Sequence, residues 1–464
     1  MDHFPLQFQQ LILDFTPVIG ASPTARSFAT LVLGWILCKT RRTLSAVIRA
    51  AGPEASKSHD AYQNFFSKSQ WSMDPLWRAL CLVMVNVVAS GRGESNEPIW
   101  IAGDDTLCKH YGRKIWGAGL YRDSVRSSKK HTAYAWGLNW VVLAMVIKVP
   151  LLKDRFVALP IYARLSPKNI EESQSPVKRR GKKTKAKGKG RKNKKGTVLI
   201  METMIHTVAA WLPKAHFRFC GDGAYACLAG SLPNNVHLVS RIRCDAALFQ
   251  LPPPKREHQR GRPPQKGRRI PSPQEMAKQV GKRWRRCTID LYGELVERHL
   301  DSFTALWYEV CPNHLVKIVI VRDPEGEKND DYFFTTDLTM TPQEIVLCYT
   351  GRWAIEVAFR ETKQYLGMNE PQARKKEAVL RTTPFCLWLN SIIKLWFLLE
   401  SKQTKPSLLE NDPWYPHKNT ISFQDMLGAL RLHFWRNYIF EESTSQDDFT
   451  KIRDFIVKSL ATVT

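Results

Sequence analysis

The chain has 464 residues, of which 44% are hydrophobic, 11% aromatic and 24% charged. That balance excludes a wholly disordered chain, a collagen-like repeat and a small disulfide scaffold, and the length leaves room for about three structural units. Sixty-nine Lys and Arg against 43 Asp and Glu give a net charge of +26, which predicts an anionic partner. The excess is concentrated, with +12 between Lys178 and Lys195 and +10 between Lys255 and Arg286. Such blocks form a charged groove or arms rather than a uniformly basic surface.

Residues 1–93 read as a helical N-terminal domain. Apolar residues recur at helical spacing from Thr24 to Ala51, and again from Ser58 to Val88 with Tyr62, Phe65, Phe66, Leu76 and Trp77. Asp74 and Pro75 supply a helix start, as cap and first helical residue. Binding DNA and docking on the following domain both fit this segment. After a loop at Gly91 to Asn96 the texture changes. Pro98 to Ala102 is a short strand running into Gly103-Asp104-Asp105-Thr106. Ala133 to Val149 and Arg155 to Ala163 are further strands, and the three suggest an antiparallel meander. The first basic block, within 172–196, cannot bury apolar area and is expected to be disordered until it meets an anion. Thr197 to Leu212 is an amphipathic helix. His216 to Cys220 is a strand ending in Gly221-Asp222-Gly223-Ala224-Tyr225, and Val236 to Ile242 is another.

Residues 246–338 form a basic, Pro-rich and mostly β insertion, with strands expected at Thr288–Tyr292, Ala305–Tyr308, Val316–Val321 and Tyr332–Thr335. Within it, Trp284 is set among Lys282, Arg283, Arg285 and Arg286. Arginines for phosphates and a ring for a base would suit DNA contact; a Trp at a sheet edge suits the spacing equally. From Thr341 to about Glu400 the chain is helical, in a C-terminal part spanning 339–464. A three-strand meander followed by αβαβα is the order of a ribonuclease H-like α/β core, here occupying 94–245 and resuming at 339.

Ten Cys occur with no CxxC pair and no zinc-ligand spacing with His. Cys38, Cys81, Cys348 and Cys386 lie in apolar settings and read as buried free thiols. Met1-Asp2-His3-Phe4 carries no export signal, and the longest apolar runs, Phe28 to Cys38 and Leu80 to Ala89, fall short of the ~20 residues of a bilayer span. The expected compartment is therefore the cytoplasm, with nucleoid association in a bacterium and no membrane partner.

Acidic residues stand out at three places. Asp104 and Asp105 end the first strand, Asp222 ends the fourth, and Glu356 lies on a late helix. In this topology the first and fourth strand ends are adjacent, with a C-terminal helix crossing beside them. Carboxylates converging there repel one another unless a cation is bound. Hard oxygen donors without Cys or His favour Mg²⁺ or Mn²⁺, and two ions about 3.5–4 Å apart are suited to phosphodiester chemistry. Tyr349, Arg352, Glu356 and Lys363 are spaced 0, 3, 7 and 14, one helical stripe. A buried stripe of that kind needs polar partners, which a metal and DNA phosphates would supply. A solvated face with an Arg352–Glu356 pair fits the same spacing.

Tyr349-x2-Arg352-x3-Glu356-x6-Lys363 resembles the Tyr-Arg-Glu-Lys signature of cut-and-paste insertion-sequence DDE transposases, as do the neighbouring Phe359-Arg360-x-x-Lys363-Gln364. Gly221-Asp222-Gly223-Ala224-Tyr225 resembles that family's second-Asp motif, an Asp followed after two residues by an aromatic. Gly103-Asp104-Asp105-Thr106 resembles the first. The likeness spans roughly residues 97 to 370. It implies a ribonuclease H-like core, with Asp222, Glu356 and either Asp104 or Asp105 binding two Mg²⁺ or Mn²⁺ ions. A Thr two residues after the ligand favours Asp104, and an Asp directly before Thr favours Asp105. The resemblance also implies that Tyr349, Arg352, Lys363 and Arg360 hold phosphates. The implied partners are double-stranded DNA, as terminal inverted repeats and target, and a second copy of the chain on paired ends. The family places a mostly β domain between its second Asp and the Glu; here 133 residues intervene.

Overall fold

The computed structural model describes residues 4–20, 22–92, 97–123, 125–128, 130–167, 196–254, 262–291, 293–403, 418 and 420–440. The first basic run and residues 255–261 of the second lie outside the described residues.

Six helices open the chain: α1 (Leu6–Leu13), α2 (Thr16–Ile19), α3 (Ser22–Leu37), α4 (Leu44–Ala51), α5 (His59–Ser67) and α6 (Met73–Arg92). The single helix expected from Thr24 to Ala51 is two. Thr43 restarts it by accepting the Ala46 backbone N–H, a side-chain cap that satisfies an orphan donor. Ser58 caps α5 in the same way. Helix α6 begins at Met73, so Asp74 stands in its first turn rather than at its cap and pairs with Arg164 at 2.7 Å.

The strands are β1 (Ile99–Lys109), β2 (Gly119–Arg122), β3 (Tyr134–Val149) and β4 (Arg155–Leu165), then, after α7 (Gly196–Trp211), β5 (Phe217–Gly221) and β6 (Val236–Arg241). The short pair β7 (Leu248–Phe249) and β8 (Arg269–Ile270) and helix α8 (Pro273–Gln279) lead into β9 (Arg285–Leu291), β10 (Glu294–Ala305), β11 (Val316–Arg322) and β12 (Asp331–Thr335). Helices α9 (Pro342–Gly351), α10 (Trp353–Tyr365), α11 (Lys376–Gln403) and α12 (Phe423–Phe440) follow. The large sheet runs β2-β3-β1-β5-β6-β12-β11-β10-β9, with β4 also on β3. Strands β1, β5 and β6 are mutually parallel and the other pairs antiparallel. The part β4-β3-β1-β5-β6 is the expected ribonuclease H-like order.

Strand β3 is buried continuously from Gly137 to Val146, as an apolar run must be when both sheet faces are covered. Helix α7 packs on it, and α10 and α11 pack on β4. Helix α11 is long and apolar enough to cross a bilayer, yet 89% of its most apolar stretch is buried inside the protein; Trp388, Ile392, Ile393 and Trp396 are fully enclosed. The N-terminal helices share that core. Arg381 of α11 donates to the carbonyls of Phe66 (2.9 Å), Ser69 (2.8 Å) and Trp71 (2.5 Å), closing the C-terminal end of α5.

The insertion extends the same sheet, because β12 pairs with β6 through Phe333↔Arg241. Its strands wrap around α9, burying Ile345 and Val346 against Val239, Leu300, Val319 and Phe333. The strand expected at Ala305–Tyr308 lies earlier, as β10. Its residues, Glu-Leu-Val-Glu-Arg-His-Leu-Asp-Ser-Phe-Thr-Ala, are largely polar and only partly buried, so they lack the apolar alternation that marks a strand.

Candidate active site

Asp104 and Asp105 lie inside β1, not at its end. Strand β1 stays paired with β3 as far as Lys109↔Gly137, whereas its parallel pairing with β5 stops at Gly103↔Gly221. One step further in that register sets Asp104 beside Asp222, the residue that follows β5. Both glycines permit close packing there. A Cβ on Gly103 would stand 2.6 Å from Met201 and Phe219, and one on Gly221 would stand 2.9 Å from the Tyr225 Cβ. Asp222 turns the chain by accepting the Ala224 N–H at 2.9 Å, and its carbonyl accepts the Ser240 hydroxyl at 2.8 Å.

Alternation along β1 separates the two neighbouring acids. Asp104 and Thr106 face α10: Arg352 Nη1 donates to Asp104 Oδ2 at 2.6 Å, and Lys363 Nζ donates to Thr106 Oγ1 at 2.7 Å and to the Leu107 carbonyl at 3.2 Å. Asp105 accepts from Asn139 Nδ2 at 3.0 Å, on β3. The other branch of Arg352, Nη2, donates to Glu356 Oε1 at 3.0 Å. One guanidinium thus ties the acid of β1 to the acid of α10.

The stripe of Tyr349, Arg352, Glu356 and Lys363 does not run on one continuous helix. Arg352 is the hinge residue between α9 and α10. Tyr349 is turned toward the insertion, its ring centroid 4.5 Å from that of Phe333, with Arg241 at 5.5 Å and Arg352 at 5.7 Å from the same ring. Asp104, Asp105, Asp222, Arg352, Glu356, Arg360 and Lys363 all line one open cleft of about 810 Å³. Thr106 of the first acidic motif lines it too, as do Asn139, Arg122 and Val125, which no motif marks. Asn139 left a trace in the sequence, as the one amide in a largely apolar strand.

Burial pushes the Asp104 carboxyl up to about 7 against the pull of Arg352, and the charges of Asp105 and Asp222 push the same way. Burial also raises Asp105, opposed by Asn139 and assisted by Asp222. Arg352 loses hydration by burial, yet Asp104, Tyr349 and Glu356 hold its pKa above the ordinary value. Burial lowers the Lys363 ammonium. Crowded carboxylates whose ionisation is resisted, with no Cys or His among the described residues that line the cleft, form a hard-oxygen set that fits a divalent ion. Among the described residues no group of three Asp, Glu, His or Cys side chains is close enough to hold an ion in this arrangement; Arg352 bonds both Asp104 and Glu356.

The insertion arginines do not line this cleft. Register carries Arg286↔His299↔Arg322 and Val321↔Asp331, with Phe333↔Arg241 beyond, so they lie at the sheet end where β5 and β6 terminate. Arg283 is 3.9 Å from Asp301 and Arg286 is 3.8 Å from Glu297, while Arg285 is exposed. Trp284 lies under Arg322, 4.4 Å from its guanidinium carbon, as a sheet-edge Trp would. The Lys282 side chain lies outside the described residues. All ten Cys are free thiols.

Two family models match the chain. That of the DDE superfamily endonucleases covers residues 14–293, with Asp104, Asp105 and Asp222, and that of the archaeal putative transposase ISC1217 covers residues 306–383, with Glu356. No curated protein matches it. The first match takes in more than half of the sequence, and the chain accordingly belongs to the DDE superfamily of endonucleases, as a metal-dependent insertion-sequence transposase acting on DNA.

Proposed function

We propose that Asp104, Asp222 and Glu356 hold two Mg²⁺ or Mn²⁺ ions, and that cleavage and strand transfer at transposon ends take place in the cleft they line. The observation that carries this reading is that acids from three distant segments line one cleft beside the end of the β1–β5 ladder. Asp104 is preferred to Asp105 because it shares Arg352 with Glu356, whereas Asp105 is held by Asn139 of β3. The bound ions supply Lewis-acid charge at the scissile phosphodiester.

The chain's own residues orient the DNA. Lys363 spends two of its three donors on β1 and has one left for a phosphate. Arg360 is exposed on the cleft wall. Arg352 and Tyr349 complete the phosphate-holding set, and Arg283, Arg285 and Arg286 lengthen it along the insertion. Helices α1 to α6 help recognise terminal inverted repeats, and two copies work on paired ends in the cytoplasm.

The test is a cleavage assay on labelled DNA carrying the element's own end, with Mg²⁺ or EDTA, on wild type and Glu356→Ala. Metal-dependent nicking at the end, abolished by the substitution, is expected. Protein that neither binds nor cuts its own ends sinks the reading, and tight binding without any cut leaves a DNA-binding protein instead.

A further inference from the structure

We infer that Arg352 and the divalent ions are alternative occupants of the same carboxylates, and that a DNA phosphate draws the guanidinium away to let the ions load. This rests on the assignment of Asp104 and Glu356 as ion ligands made above. The two bonds of Arg352, 2.6 Å to Asp104 and 3.0 Å to Glu356, engage two of the three proposed ligands with one side chain. The link to Asp104 spans 248 residues of sequence, so it is a tertiary bridge and not the surface pair of one helix turn. In this arrangement no three acids of the described residues stand close enough to hold an ion.

The same side chain is built to leave. Its Nε is buried without a partner among the described residues, so they satisfy the guanidinium fork only in part. Arg352 stands at the break between two helices, and its side chain makes no cap hydrogen bond there. Arg360 and Lys363 share its cleft and would draw a phosphate to within reach. A phosphate offers the fork a paired acceptor, the geometry that guanidinium matches best. Once Arg352 turns to it, Asp104 and Glu356 regain their lone pairs and lose their counter-charge, and a compact dication replaces the diffuse monocation. The protein without DNA thus keeps its acids neutralised and inactive, and the DNA end arms them. By linkage, DNA tightens ion binding and ions tighten DNA binding by the same factor.

The experiment measures Mn²⁺ binding directly, by the electron paramagnetic resonance signal of free Mn²⁺. The full chain is used with and without a short blunt duplex carrying a 5′ phosphate, with circular dichroism melts to verify folding. Without DNA, Arg352→Ala should bind Mn²⁺ about tenfold tighter than wild type, and the duplex should tighten wild type by a similar factor while leaving the variant nearly unchanged. Arg352→Lys separates exchange from net charge. A single ammonium keeps the charge but spans both carboxylates poorly, so its affinity should fall between the other two.

Equal Mn²⁺ affinity in wild type and Arg352→Ala would overturn the inference, as would equal tightening by DNA in both, or Arg352→Lys identical to wild type. If Arg352→Ala does not fold, a wild-type affinity unmoved by the duplex overturns it alone. Absence of Mn²⁺ binding in every form would refute the ligand assignment itself, a different result from equal binding.

Discussion

Helix α10 carries a charge pair on each of two faces, and the two are built for opposite ends. Toward β1, Arg352 joins Asp104 and Glu356 at the wall of an open cleft, and Glu356 is 32% exposed. Toward α11, Lys394 Nζ meets Glu361 Oε2 at 2.6 Å, with the two side chains 4% and 14% exposed. Lys394 also donates to the Ala158 carbonyl at 3.0 Å, so its charge is enclosed by backbone and carboxylate together. A charge in the first pair can be traded for one brought from solution. The second pair also borders a pocket, of about 390 Å³, but it is the more buried of the two, and removing one partner leaves the other's charge poorly compensated. Length does not separate the two pairs, since the shortest contacts in both are 2.6 Å; the wider opening of the first does.

The sharpest way to break this contrast is to remove acids from the cleft. Asp222→Asn and Glu356→Gln should each lower end cleavage about a thousandfold or more, the scale seen when one member of a catalytic unit is lost. Folding should be spared. Asparagine at 222 keeps an acceptor for the Ala224 N–H and removes one of the charges that push Asp104 up, so the melting temperature should stay equal or rise. A variant that loses activity and stability together would place the acid in the scaffold.

The more buried face should answer in the opposite way. Lys394→Met should cost about 3–5 kcal/mol of stability by stranding Glu361, while the double variant Glu361→Leu with Lys394→Met should recover most of it. Urea midpoints decide this, and a neutral single variant would mean that the charge left behind is well compensated. Arg381 offers an intermediate case. Its buried guanidinium closes the carbonyls of Phe66, Ser69 and Trp71. Arg381→Ala should cost about 2–3 kcal/mol and quicken proteolysis near residues 66–72 ahead of the rest of the chain.

The α/β core was legible because its strands are apolar and its punctuation strong. Arg155 to Leu165 and Phe217 to Gly221 could be read almost to the residue. The residues chosen for the site come from four separate stretches, and all but Tyr349 and the insertion group line one cleft. Local pattern failed where the decisive partner is remote. Asp104 looked like a strand end because Gly-Asp-Asp-Thr reads as a turn, yet pairing with β3 carries β1 on to Lys109. Helix periodicity runs through Arg352 without a mark, although the helix breaks there. Strand β10 is held by ladders to β9 and β11 rather than by apolar alternation. The role of Glu361 was equally hidden, since Lys394 lies far along the chain on another helix.

The smallest expected effect concerns charges that belong to neither face of α10. Arg286 sits on β9, the edge strand of the sheet, 3.8 Å from a half-exposed Glu297. Such a pair contributes little to stability, so Arg286→Ala should shift the urea midpoint by less than about 0.5 kcal/mol. If the arginine also meets a DNA phosphate, the slope of log affinity against log salt should fall by about one, with weakening uniform across DNA sequences. An unchanged slope would give the side chain a different purpose. Charges on an edge strand keep unpaired backbone groups from templating another chain, and the basic insertion would then guard the sheet rather than grip DNA. Titrating DNA affinity against salt for wild type and Arg286→Ala distinguishes the two, because a guarding charge changes aggregation and leaves counterion release alone.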